Sequence, residues 1–454
     1  MRTFLICLLF ITLRQTHSEN VILFLGDGMG VSTVTAARIF AGQQAGLQGE
    51  EFNLSFEEFE NLALVKTYNT DAQVPDSAGT ISAILTGEKT RMGVSGIRSI
   101  VDRGDCKAAL ENELPTLLEY AEEAGFLTGI VSTARITHAT PAGSYAHFPD
   151  RNWENDSELS EKAISEGCID IARQLIEFNI GNGPEVILGG GRTQFLSKND
   201  KDPEYSFVSG KRTDGRNLLT DWMGSKSNRF YVWDIDGFAD LDPNTNNQFL
   251  GLFEPSHLKF EADRAKDTRG EPSLAEMTEF AIKRLQYRNK KGFFLLVEGG
   301  RIDHGHHAGN AYRALTDTVA FSDAVDVAKS MVDLNNTLII VTADHSHTLT
   351  ISGYPSRGNP ILGLVDNLQD ATAKPYTTLG YANGPGYQET LPNLTNIDTT
   401  KVDYRQLAAV PMYTETHAGE DVPAYASGVN SEQVRGTMEQ NELFEVMRVA
   451  LFDQ

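Results

Sequence analysis

Phe293-Phe294-Leu295-Leu296-Val297-Glu298-Gly299-Gly300-Arg301-Ile302-Asp303-His304-Gly305-His306-His307 changes character in its middle. The apolar run at its start reads as a strand covered on both faces, and Glu298 stands where that strand ends. Past the two glycines the chain turns polar. As a helix, that part sets Asp303 and His307 at i, i+4 on one face, a spacing that lets two side chains grip one cation. The same grammar recurs: the apolar run 21–25 leads into Gly26-Asp27-Gly28-Met29-Gly30, and 338–341 leads into Thr342-Ala343-Asp344-His345. Further buried-strand patterns at 128–131 and 186–188 alternate with helical periodicities over 114–124, 163–178 and 274–285. Continuous apolar strands separated by helices predict an α/β fold, a central, mostly parallel sheet flanked by helices. Such sheets bind ligands at the carboxyl ends of their strands, so Asp27, Glu298 and Asp344 are expected along one edge. Over 352–411 Gly, Pro, Asn, Asp and Thr dominate, and the stretch reads as a loop-rich insertion on the same domain.

Eight of the ten histidines fall in short groups: His138 and His147; His304, His306 and His307; His345 and His347; and His417. One such group alone is an ordinary solvated helix face, and a lone Asp27 between glycines is an ordinary turn aspartate. Their repetition beside apolar strands argues for a metal site. In Val74-Pro75-Asp76-Ser77-Ala78-Gly79-Thr80, small residues lead into an apolar helical run and place Ser77 near a helix N-terminus. Free N–H groups there favour a phosphate, although Asp76 or Ser77 taken alone reads equally as a cap.

With 39 basic and 62 acidic residues the net charge is −23, which argues against nucleic-acid binding, since phosphate contacts need a basic patch. Met1-Arg2, a mostly apolar 4–13 and Thr16-His17-Ser18 match a secretory signal peptide over residues 1–18, followed by one catalytic domain over 19–454. Its removal leaves Cys106 and Cys168, and an even pair in an oxidising compartment suggests one disulfide. Glycosylation sequons at Asn53, Asn155, Asn335 and Asn393 agree with secretion. No second long apolar segment is present, so no membrane span is expected, and the polar C-terminus does not support a lipid anchor.

The motifs Gly26-Asp27-Gly28-Met29, Asp76-Ser77-Ala78, His138-Ala139-Thr140-Pro141-Ala142-Gly143, 297–307, 342–347 and Thr416-His417-Ala418-Gly419-Glu420-Asp421 together resemble the alkaline phosphatases, and the animal branch in particular. The resemblance runs from Asn20 to about Ala450. It implies a crown region over 352–411 near the active-site mouth, a homodimer, and hydrolysis of a broad range of phosphate monoesters through a phosphoserine intermediate. Position by position, it implies a first zinc held by Asp303, His307 and His417, and a second held by Asp27, Asp344 and His345 with the nucleophile Ser77 facing it. A magnesium ion would take Asp27, Thr140 and Glu298, and Arg151 would grip the phosphate. His138 and His304 resemble supporting groups near the magnesium, while His347 is left with no role beyond packing. A remote calcium site is implied from Glu204, the Phe253 carbonyl, Glu254 and, where relatives carry aspartate, Glu271. Mixed imidazole and carboxylate donors suit zinc, all-oxygen sets suit magnesium and calcium, and a guanidinium fork suits phosphate. Relatives carry an N-terminal helix before the first strand; its absence here suggests a dimer that dissociates more readily.

Two other readings stay open on these residues: a phosphodiesterase of the same superfamily, and a catalytically inactive secreted metal- or mineral-binding protein. Ser77 and Arg151 weigh against the second.

Overall fold

Val21 to Leu25 and Phe294 to Val297 are wholly buried, as strands enclosed between helix layers must be. The computed structural model describes residues 19–367 and 370–453; the expected signal segment, 1–18, lies outside the described residues. The strands in chain order are β1 (Glu19–Gly26), β2 (Asn61–Lys66), β3 (Leu127–Arg135), β4 (Val186–Gly190), β5 (Arg229–Val232), β6 (Gln248–Leu252), β7 (Gly292–Glu298) and β8 (Thr337–Ala343). They continue with β9 (Ser346–His347), β10 (Leu349–Ile351), β11 (Leu379–Gly384), β12 (Ala408–Pro411), β13 (His417–Ala418), β14 (Val422–Gly428) and β15 (Gly436–Glu439). Ten of them form one sheet in the order β15-β2-β14-β8-β1-β7-β3-β4-β6-β5. From β8 to β5 every pairing is parallel, and β14 runs antiparallel to both β8 and β2. The fold is α/β with a mostly parallel sheet, and each of the apolar runs at 21–25, 128–131, 186–188, 293–297 and 338–341 lies inside a strand.

The helical periodicity over 163–178 resolves differently. It forms two short helices, Glu161–Glu166 and Ile171–Ile176, because Gly167 takes the left-handed conformation at φ 99° and ends the first. Asp170 then caps the second through the Arg173 N–H. Helices Leu274–Gln286 and Ala311–Met331 pack against each other, and Phe321 of the latter meets Phe24 of β1 edge-on at 5.8 Å. Within 352–411 there is no helix among the described residues; β10, β11 and β12 make a separate three-stranded sheet.

Cys106 and Cys168 are joined, with Cα atoms 5.9 Å apart and a separation of 62 in sequence. Loop closure of that length is worth about 4 kcal/mol. Replacing both cysteines by serine is expected to lower unfolding free energy by roughly 2–4 kcal/mol. Peptide mapping without reductant checks the link itself, and free thiols in folded protein would contradict it.

One sequon is corrected. Asn155 is wholly buried, its amide donates to Gln194 Oε1 at 2.7 Å and its oxygen caps Ser157, so it offers no acceptor for a glycan. Asn53, Asn335 and Asn393 are exposed.

Candidate active site

The sheet order sets β8, β1, β7 and β3 side by side, which gathers the groups at their carboxyl ends. Asp344 follows β8, Asp27 follows β1, Glu298 closes β7, and the turn after β3 brings His138 and Thr140. Asp27, Asp344, Glu298 and Thr140 are fully buried. The approach is close at Gly28, which sits at φ 69°; a Cβ there would come 2.3 Å from the His347 ring. The glycine lets its N–H donate to Asp344 Oδ1 at 3.0 Å.

Ser77 is the first residue of the helix Ser77–Thr86, and Asp76 caps it by accepting from the Gly79 N–H. Sequence alone left cap and nucleophile as rivals for this dipeptide. The structure divides them, Asp76 capping and Ser77 turning its Oγ to within 3.3 Å of His345 Nε2. Asp76 also accepts from Arg151 Nη1 at 2.9 Å and from the Gly93 N–H, while Arg151 Nη2 donates to His138 at 3.3 Å. Burial works to raise the Asp76 pKa, but Arg151 and the two amides hold it below the usual carboxylate range. Asp76 thus fixes both the serine and the guanidinium.

Beside Ser77, two imidazole nitrogens and a carboxylate oxygen converge. His417 Nδ1–H donates to the Pro75 carbonyl at 2.8 Å and His307 Nδ1–H to the Glu415 carbonyl at 2.5 Å. In their neutral forms both imidazoles thus turn an acceptor Nε2 inward, and these two nitrogens face each other at 3.2 Å. Asp303 Oδ1 stands 3.2 Å from one and 3.4 Å from the other. Ligands ~2.0–2.1 Å from a tetrahedral ion lie ~3.3 Å apart, so the triangle fits a zinc-sized cation. His345 repeats the pattern: Nε2 faces Asp27 Oδ1 at 3.5 Å and Asp344 Oδ2 at 3.2 Å. Both Asp27 oxygens, Glu298 Oε1, Asp344 Oδ2 and Thr140 Oγ1 are buried without a hydrogen-bond partner among the described residues. Uncompensated carboxylates of this kind are costly unless a cation joins them.

Their electrostatics agree. Burial, then the charges of Asp344, Asp303 and Glu298, pushes Asp27 well above the usual range. Glu298 is pushed from 4.5 to about 8, by burial first and then by Asp344 and Asp303. A carboxyl raised in the folded state keeps its proton where the unfolded chain has lost it, so metal-free stability falls as pH rises through that interval. Chelated protein is therefore expected to lose melting temperature between about pH 6 and 8, while metal-loaded protein does not, because the cations displace those protons. Scanning fluorimetry checks this, and parallel curves for the two forms would count against bound cations.

His347, which sequence left without a role, has one. Its Nε2 donates to Asp303 Oδ1 at 2.7 Å and its Nδ1 to Glu415 Oε2 at 2.5 Å. Burial lowers its pKa, yet these two carboxylates lift it to about 10. With both nitrogens committed, His347 orients Asp303 rather than competing for a cation.

The alkaline phosphatase family profile matches residues 18–452. The chain belongs to the alkaline phosphatase family. It is 46% identical over 441 residues to the tissue-nonspecific alkaline phosphatase of Felis catus, spanning 95% of this chain and 83% of that one. Against the alkaline phosphatase of Gadus morhua it is 45% identical over 447 residues, 97% of this chain and 93% of the other. The fold is shared with the alkaline phosphatase of Thermus thermophilus, at TM-score 0.69, 24% identity and coverage of 96% and 92%. That of the Antarctic bacterium TAB5 aligns at TM-score 0.66 and 24% identity, over 96% of this chain and all of its own. As an alkaline phosphatase the chain is a phosphoric monoester hydrolase with metal-binding histidine and aspartate clusters.

Two site expectations need amendment. Glu204 and Glu254 do meet, and Asp267 joins them within 4.8 Å, a carboxylate the sequence reading lacked. Glu271, close enough to feel the charges of Glu254 and Asp267, accepts the Lys259 N–H at 2.8 Å, and its Oε2 is buried without a partner among the described residues. Phe253 is fully buried beside Glu254. No motif surrounds Asp267, which is why spacing alone passed it over. The second omission is His257, a solitary histidine in sequence, whose ring centre lies 4.0 Å from that of His304 and 5.2 Å from that of His138. Arg135 N–H donates to it at 3.2 Å. The supporting group therefore has three imidazoles where two were expected.

Proposed function

We propose that the chain is a secreted phosphomonoesterase of broad range that works through a phosphoserine intermediate on Ser77. The convergence of the Ser77 hydroxyl, two inward-turned Nε2 groups and the Arg151 fork on one buried edge supports this reading most directly. The residues fit zinc at Asp303, His307 and His417 and again at Asp27, Asp344 and His345. They fit magnesium at Asp27, Thr140 and Glu298, an all-oxygen set. When bound, such ions supply Lewis-acid charge that lowers the pKa of hydroxyl and water and offsets charge on the reacting oxygens.

Arg151, braced by Asp76 and His138, offers its planar fork to two phosphoryl oxygens, and the N-terminus of the Ser77 helix adds its dipole. Ser77 Oγ passes its proton to solvent and attacks phosphorus in line, and the departing alkoxide takes a proton back from solvent. The Oγ–P bond forms as the bond to the leaving oxygen breaks, and water then cleaves Oγ–P to release phosphate and restore the serine. These contacts grip the phosphate and little else, which supports breadth in the leaving group.

Comparing p-nitrophenyl phosphate with its bis-ester across pH, with and without chelator, tests the reading. Fast, chelator-sensitive monoester turnover is expected. Preference for the diester would favour the superfamily's diesterases, and no turnover of either would favour a metal- or mineral-binding role. Secretion is supported by the Cys106–Cys168 link. A homodimer is proposed with it, and a fully active monomer at micromolar concentration in sedimentation would remove that part.

The same reading places calcium at Glu204, Glu254 and Asp267. Glu204 Oε1 and Asp267 Oδ2 are buried without partners among the described residues, and Lys259 Nζ reaches Glu254 at 2.8 Å. Burial, above all, pushes Glu254 up to about 7. Adding calcium to chelated, zinc-reloaded protein is expected to raise its melting temperature by about 2–4 °C or more, and Glu254→Ala or Asp267→Ala to abolish the gain. An unchanged wild-type melting temperature would show the site is absent.

A further inference from the structure

The carboxyl edge of the sheet holds the chemistry; the amino edge holds a cleft of about 440 Å³ with a different character. It opens where β3, β4, β6 and β7 begin, and five cations face it: Lys226, Arg284, Arg288, Lys290 and Lys291. Among the described residues Glu185 is the only acidic one in its lining. In a chain of net charge −23, five cations held around one hollow with a single acid do not reflect the general composition. Mutual repulsion would disperse them on an ordinary solvated surface.

Arg284 makes the cleft more than a patch. It is only 4% exposed, and the one hydrogen bond of its guanidinium among the described residues runs from Nε to the Asn247 carbonyl at 2.6 Å. Burial lowers its pKa, which is the mark of a guanidinium short of partners. Its two terminal amino groups are left to the cleft. Glu185 attracts it through charge but makes no hydrogen bond to it among the described residues: that carboxylate accepts from the Thr128 N–H at 2.9 Å. A buried arginine with unused donors is costly unless a ligand completes it.

The turn that carries the remaining charges is built with some strain. Arg288 sits at φ 51°, one of three non-glycine residues at positive φ among those described. Such a conformation costs of order 1 kcal/mol and persists only where the surroundings enforce it. Here Asn289 enforces it, its Oδ1 accepting the Lys291 and Gly292 N–H groups and its Nδ2 donating to the Leu285 and Gly292 carbonyls. The turn thereby presents Arg288 and Lys290 beside the buried Arg284. The opposite wall is polar and neutral: Asn228 and Asn246 supply amides, while the Gln248 amide beneath them is spent on Arg229 and on the Asn182 and Gly183 carbonyls.

We propose that this cleft is a binding site for a sulfated or phosphorylated saccharide, separate from the catalytic centre. The cations select for clustered anionic groups, the amides for hydroxyls, and the volume exceeds what a lone sulfate or phosphate needs. A sulfated saccharide would not be consumed by a phosphomonoesterase, so binding and turnover can be read apart.

The test is calorimetric titration of the zinc- and magnesium-loaded protein with a trisulfated uronic acid–glucosamine disaccharide at low salt, with inorganic sulfate in a parallel arm. One saturable site per chain is expected, weakening as salt rises. Arg288→Gln combined with Lys290→Gln, both in an exposed turn, is expected to weaken it by about tenfold or more, and Arg284→Gln comparably. Lys162→Gln, an exposed control elsewhere, should leave affinity unchanged, and p-nitrophenyl phosphate turnover should be untouched in every variant. Wild-type affinity in the folded double variant, or no saturable binding at about 1 mM, overturns the site. Inorganic sulfate binding as tightly as the disaccharide overturns the saccharide assignment.

Discussion

Ser77→Ala is expected to lower turnover of p-nitrophenyl phosphate by at least about 10³-fold while the metal content of the protein stays at the wild-type level. The side chain is buried at the start of its helix, Asp76 rather than Ser77 supplies the cap, and alanine fits the space left by a hydroxyl. Loss of helix stability therefore should not confuse the result. Acid quenching of wild-type protein with labelled phosphate should trap label on the Ser77 peptide, and the variant should trap none. Wild-type-like turnover in the variant would remove Ser77 from the chemistry. Lost activity together with lost metal would make it a ligand first and a nucleophile second.

Asp27→Ala is expected to have an effect of similar size through a different route. Asp27 stands between two of the groups described, with His345 on one side and Glu298 and His138 on the other. Both of its oxygens are buried and unpartnered among the described residues. Its removal should empty two of the three proposed active-site cation positions, leaving about one active-site metal equivalent per chain and turnover reduced by about 10³-fold or more. Elemental analysis of dialysed protein reads the stoichiometry directly. A variant that keeps all its metal while losing activity would show that Asp27 acts on the substrate rather than as a shared ligand.

Much of this was legible in sequence because the signals were local. Strands buried on both faces must be continuously apolar, and the polar residues that end them must sit at one edge of a parallel sheet; Asp27, Glu298 and Asp344 were readable on those grounds alone. Asp303 and His307 were readable because helical spacing is fixed at short range. What escaped was either weakly patterned or assembled at long range. β2 alternates exposed and buried positions along only six residues, and β5 and β6 are shorter still. Asp267 meets Glu204 across the fold, His257 joins His138 and His304 only in space, and Glu415 reaches His347 across 68 positions. The burial of Asn155 is a tertiary fact that no sequon can announce.

The two-residue pairing of β13 with β9 carries a consequence for how the enzyme comes into being. It sets His417 opposite His347, and so delivers the last donor of the Asp303–His307–His417 triangle from near the end of the chain. During synthesis, β1, β7 and β8 can already lie together while that corner is still missing, because His417 follows β8 by more than seventy residues. A nascent chain thus arranges most of its sheet before the proposed cation site of that triangle is complete. Uptake of a cation there then requires that His417 has been made, and a ribosome-stalled chain ending before His417 should bind fewer metal equivalents than one ending well after it.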